Sequence, residues 1–276
     1  MNPWLAAAII IIPVCVMAAL MLLVRRHAPP GGRFSDSDRA SGPFGFVGAG
    51  FVILLGFIIA LSFGTYDNAA TQSEAEATAI EAQFTAADAM PPMLRKRAQA
   101  QLVCYARSVA GPEWTSMADG NWSPLTDQWI SNLDATEAAV SAVKGTAAAN
   151  ALTEWHDAAK TRELARRTRI LVAQGEEPVL LWVLLAIGGI MVLGYVLLYA
   201  DPDERVVAQL AMVVSTTALV AASLVAVTVL ASPFQNEEGS IKPTGVQYSL
   251  RVINADLAAA HTTLPVLCDA NGNPVR

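Results

Sequence analysis

The run Phe44-Gly45-Phe46-Val47-Gly48-Ala49-Gly50-Phe51-Val52-Ile53-Leu54-Leu55-Gly56-Phe57-Ile58-Ile59-Ala60-Leu61-Ser62-Phe63-Gly64 carries no charge. It is long enough to cross a bilayer core, which takes about 20 residues of helix. From Thr65 to Met90 no Gly or Pro interrupts the chain, and Ala and Glu, both strong helix formers, dominate Ser73-Glu74-Ala75-Glu76-Ala77. The apolar run is therefore expected to leave the membrane and continue as one helix of about 45 residues, stopped by Pro91-Pro92.

Three further uncharged runs match it: Trp4 to Val24, Pro178 to Ala200 and Val206 to Phe234. Apolar residues make up 54% of the 276 and charged residues only 15%, against about 25% charged in a soluble domain. Mean hydropathy is +0.41. These values argue against a soluble enzyme and against a disordered chain. The net charge of −6 argues against a nucleic-acid binder, which shows a basic patch. The expected fold is an all-α integral membrane protein with four transmembrane helices and a large helical extramembrane insert between the second and third. Its parts are the first two spans with a short basic link (1–64), the insert (65–177), the last two spans (178–234) and an extramembrane tail (235–276).

Within the insert, a second helix is expected through Met93 to Val109, ended by Gly111-Pro112. A short one follows Ser123-Pro124 to about Leu133, with Pro in the first turn. Helix is expected again from Thr136 to Val172, broken near Gly145. Tail residues Val246 to Ile253 fit strand or helix. The fourth span is rich in Ser, Thr and Ala, which points to a place inside the bundle. Glu74, Glu76 and Glu81 are expected to form a solvated helix face.

Orientation follows Lys and Arg in short loops. The link after the first span holds Arg25, Arg26, Arg33 and Arg39 against two acidic residues, which favours a cytoplasmic place for it. Both termini and the insert would then be extracytoplasmic at the plasma membrane. Arg162, Arg166, Arg167 and Arg169, close before the third span, weigh the other way. With four spans, Cys104 in the insert and Cys268 in the tail share one side, and Cys15 lies within the first span. An oxidising side would let Cys104 and Cys268 form a disulfide; a cytoplasmic one would leave two buried thiols.

On the second span, Gly45, Ala49, Gly56, Ala60 and Gly64 fall within about 100° of one another. Small residues on one face allow close helix approach. Phe46, Ile53 and Phe57 adjoin that stripe, so the face serves either helix packing or the wall of a central pore. Nothing suggests an enzyme: no phosphate loop, zinc motif or nucleophile elbow occurs, and His27, His156 and His261 fall in separate segments. No cofactor or metal is expected. The spans hold no charge of the kind that marks pumps.

The order of parts resembles a bacterial membrane family called bestrophin-like. The matching motifs are Leu102-Val103-Cys104-Tyr105-Ala106-Arg107-Ser108-Val109 leading to Glu113-Trp114, then Arg166-Arg167-Thr168-Arg169-Ile170-Leu171, then Ser232-Pro233-Phe234-Gln235. The resemblance spans roughly residues 44 to 258 and implies an oligomeric passive anion channel whose second span lines an apolar neck, at Phe46, Ile53 and Phe57. No acidic cluster of the kind that binds calcium in animal bestrophins stands in this sequence. The partners expected are the lipid bilayer and further copies of the chain. The other reading is a non-conducting subunit or scaffold whose insert meets another membrane protein.

Overall fold

A computed structural model describes residues 3–33, 37–143, 146–175, 179–235 and 238–275. Among these residues no strand forms; a single isolated bridge pairs Cys268 with Pro274. The helices are α1 (Pro3–Arg26), α2 (Ser37–Ala86), α3 (Pro92–Ser108), α4 (Trp114–Met117), α5 (Pro124–Ser141), α6 (Thr146–Ala173), α7 (Val179–Leu198), α8 (Val206–Ala231) and α9 (Thr244–Ala259). Four of them, α1, α2, α7 and α8, are long and apolar enough to cross a membrane.

Several boundaries differ from the expectation. α2 begins at Ser37 and absorbs Pro43, which removes one intrahelical hydrogen bond without ending the helix. Gly111-Pro112 does not end the second helix of the insert. Val109–Glu113 forms a π turn, with the Trp114 N–H donating to the Val109 carbonyl, and the chain stays helical to Met117. The wider turn makes room for the proline ring. The helix ends instead at Met117, and the turn after it closes on Gly120, whose φ of +70° is left-handed. α5 overruns Leu133 to Ser141 because no Gly or Pro stands in between. The tail segment 246–253 is helical, and it buries Val246, Ser249 and Ile253 along one face of α9. The break at Gly145 and the first residue of the third span, Pro178, lie outside the described residues.

The chain divides into two compact units. The first contains Met1–Tyr66 and Glu176–Ala231. Here Phe51, Leu55 and Ile58 of α2 form a core with Leu185 and Val192 of α7 and Val220 and Val227 of α8. A Cβ on Gly188 would stand 2.5 Å from the Phe51 ring, so glycine is what lets that ring lie against α7. Arg25 ends α1 by donating to the carbonyls of Asp201 (2.6 Å), Pro202 (2.7 Å) and Glu204 (2.6 Å) and to Gln209 Oε1 (2.8 Å). One guanidinium thus orders the link between α7 and α8. Of the four candidate spans α8 is the most buried within one copy, although Val207 is 78% and Leu219 65% exposed. Its hydroxyls explain why it needs no polar neighbour. Thr217, Ser223 and Thr228 each donate to the carbonyl four residues back in their own helix, at 2.7–2.9 Å.

The second unit contains Asp67–Gly175, Ser232–Asn236 and Ser240–Arg276. Its core is one cluster that includes Ile80, Leu102, Tyr105, Met117, Leu133, Trp155, Phe234 and Ile253. The indole N–H of Trp114 donates to the Ile241 carbonyl at 3.1 Å, and its ring meets Phe234 edge-on at 5.5 Å.

Candidate functional site

Two arrangements stand out, one in each unit. In the first unit, α2 is used on one side only. Phe51, Leu55 and Ile58 are buried, while Phe46 (82%), Ile53 (74%) and Phe57 (60%) are exposed. Gly45, Ala49, Gly56, Ala60 and Gly64 are exposed as well. A Cβ built on Gly45, Gly56 or Gly64 meets nothing within 4 Å. No described part of this chain therefore occupies the small-residue face or the aromatic positions beside it.

In the second unit, Glu76 is not the solvated residue that its Ala/Glu-rich setting suggests. It is fully buried, whereas Glu74 is exposed and Glu81 half-buried. Arg169, equally buried, donates from Nε to Glu76 Oε2 at 2.8 Å and from Nη2 to Glu113 Oε1 at 2.7 Å. Arg166 donates from Nε and Nη2 to the Glu113 carboxylate at 2.6–3.1 Å and pairs with Asp127 at 2.8 Å. The Tyr105 hydroxyl donates to Glu76 Oε1 at 2.6 Å. Arg162 lies over the Tyr105 ring at 4.6 Å, and Arg169 over the Trp114 ring at 5.0 Å.

Electrostatics hold Glu113 and its two arginine partners charged. Burial opposes ionisation of Glu113, but Arg169 and Arg166 overcome it and keep its carboxyl below the ordinary range. Burial and the neighbouring Glu76 push the Tyr105 hydroxyl well above its ordinary value. Burial works against the Arg166 and Arg169 charges, yet their carboxylate partners raise both further. At neutral pH Glu113, Arg166 and Arg169 hold their charges and Tyr105 keeps its proton. Among the described residues no group of three or more His, Cys, Asp and Glu is placed to hold a metal ion.

The segments quoted for the resemblance meet in this core: Tyr105 and Glu113 from one, Arg166 and Arg169 from the next, Phe234 from the last. Sequence reasoning did not assign them roles. The readable signal was Arg162, Arg166 and Arg169 at i, i+4 and i+7, one helix face. The tail is fastened to the same core. Cys104 and Cys268 are joined by a disulfide, across 164 residues of sequence. Arg107 donates to the carbonyls of Cys268 (3.3 Å) and Asp269 (3.2 Å), and the Trp129 indole donates to that of Gly272 (2.7 Å). Gly272 has φ +81°, and a Cβ there would stand 2.7 Å from the Ser108 nitrogen. Only glycine allows this approach.

The fold defines a class: an all-helical membrane protein whose second helical unit is built on a buried arginine–glutamate cluster. The comparisons with known proteins give the family. The Bestrophin-like domain matches residues 11–243, and the chain belongs to that family. Among solved structures, a bacterial bestrophin homologue from Klebsiella pneumoniae carrying a leucine-to-threonine mutation is similar over 92% of this chain and 99% of that one, with a TM-score of 0.63 at 12% identity. A second structure of the Klebsiella pneumoniae homologue, with an isoleucine-to-threonine mutation, matches over 91% and 99%, with a TM-score of 0.65 at 13% identity. At such identities the likeness is one of fold. No curated protein matches the chain.

Proposed function

We propose that this chain is one subunit of a homo-oligomeric passive ion channel of the plasma membrane, selective for anions, with the open face of α2 turned toward the oligomer axis. The observation that carries the reading is that face itself. One side of α2 is packed within its own chain, and the other presents Phe46, Ile53 and Phe57 beside unoccupied glycines. Small residues let copies of the helix approach one another around an axis, and the large apolar side chains beside them would form a neck that gates by dewetting. Membership of the Bestrophin-like family supports the same reading. The Cys104–Cys268 bridge supports an extracytoplasmic place for the insert, the tail and both termini.

The test is recording from the purified chain in planar bilayers, with its mass measured in nanodiscs. An oligomer with unitary currents whose reversal potential follows the anion gradient is expected. Phe57→Ala widens an apolar constriction and should raise the unitary conductance severalfold. A stable homo-oligomer that passes no current under any gradient would replace the channel with a scaffold whose insert meets a protein partner.

A further inference from the structure

Within the second unit, α3, α5 and the tail segment before Cys268 enclose a groove of about 770 Å³. Small-molecule sites usually measure about 300–1,000 Å³. One face of α3 contributes Lys96, Arg97 and Gln101, one face of α5 contributes Trp129 and Asn132, and the tail contributes Leu264. No carboxylate lines the groove. Lys96 and Arg97 are exposed, and neither forms an ion pair or hydrogen bond with a described residue. In a segment that holds fifteen acidic against ten basic residues (65–177), two adjacent unpaired cations over an acid-free cavity are a local reversal of charge.

Gln101 and Trp129 have defined hydrogen-bond partners. Gln101 Oε1 accepts from the Thr136 hydroxyl at 2.8 Å, which leaves the amide NH2 as the group for a ligand to meet. The Trp129 indole N–H is engaged by the Gly272 carbonyl, so its ring contributes apolar surface. The tail wall is held by the disulfide and by Arg107. The groove thus brings two cations, side-chain amides and apolar carbon together against a wall fixed by the disulfide.

We propose that this groove binds a small amphipathic organic anion. Its anionic head lies between Lys96 and Arg97 and accepts from Gln101 and Asn132, and its apolar body lies against Trp129 and Leu264. The site is independent of conduction through α2.

The test titrates 4-fluorophenyl phosphate into the full-length oxidised protein in phosphatidylcholine nanodiscs at low ionic strength, read by fluorine NMR. Saturable binding is expected. The Lys96→Gln/Arg97→Gln pair should weaken it at least tenfold, and Thr263→Trp, which fills the groove while keeping both charges, should abolish it. Lys160→Gln removes a cation elsewhere on the unit and should leave the affinity unchanged. Non-saturable binding to the parent protein would overturn the proposal. So would equal weakening by Lys160→Gln, or full affinity in Thr263→Trp.

Discussion

Glu76 and Arg169 are both without exposed surface, and each is the other's direct partner. Removing Arg169 leaves Glu76 without its cation in a low-dielectric interior, which costs about 3–5 kcal/mol, whereas replacing a buried pair by apolar residues of similar size is often neutral. Removing Glu76 costs less, because Arg169 keeps Glu113 at 2.7 Å. Arg169→Met should lower the thermal midpoint sharply and Glu76→Gln by less, and Glu76→Met/Arg169→Met should recover part of the Arg169→Met loss. Scanning fluorimetry in nanodiscs reads this cycle; strictly additive losses would mean that the pair is not coupled. Glu113 adds a pH dependence. Its carboxyl is held below its ordinary 4.5 by Arg169 and Arg166 against the effect of burial. The folded state then binds fewer protons than the unfolded one, so the stabilisation is complete above pH 4.5 and is lost as pH falls below it. The midpoint should be flat between neutral pH and about 5 and fall below that, with a smaller fall in Glu113→Gln. A midpoint indifferent to acid would remove Glu113 from the stabilising cluster.

At the level of elements, α2 does two jobs with one continuous sequence. Its apolar half was legible because charge vanishes over the whole run Phe44 to Gly64, and its second half because no helix breaker follows before Pro91. The π turn at Val109–Glu113 was not legible, since Gly-Pro is a local stop signal, and the burial of Val109, Glu113 and Trp114 in the core is not written in the local sequence. Nor was the burial of Glu76. Its neighbours in sequence are those of a solvated helix, and its partner Arg169 stands 93 residues away. The open face of α2 was legible as a stripe of small residues, but not its use, because packing and pore lining call for the same pattern. Gly56→Leu separates an intermolecular face from a lipid-facing one. A Cβ at Gly56 meets no atom of its own chain within 4 Å, and leucine is the better helix former, so the subunit should fold normally. If copies of α2 approach there, the added side chain should shift the mass in nanodiscs from oligomer to smaller species. An unchanged oligomer would place this face against lipid.

On the scale of the whole molecule, the disulfide relates the tail to the compartment. The insert and the tail are joined at Cys104 and Cys268, 164 residues apart, with α7 and α8 between them. If α7 and α8, both long and apolar enough to cross, each span the membrane, the chain returns to the side it left, which is what a bridge between the two segments requires. Closing so long a loop restricts the unfolded chain by about 5 kcal/mol on the chain-entropy account. α9 packs Val246 and Ile253 into the core, and beyond α9 the tail is held by Arg107, Trp129 and the close approach at Gly272. A bridge persists only outside the reducing cytoplasm, so the thiol state of the native protein reads its topology. Cys15, the remaining cysteine, is free and lies in α1. Protein prepared without reductant, unfolded and treated with a mass-tagged maleimide should gain one label. After prior reduction it should gain three, and Cys268→Ser should expose Cys104 as a second free thiol before reduction. Three labels without reduction would break the bridge and return the insert to the cytoplasmic side, and with it the four arginines of the first link to the outside.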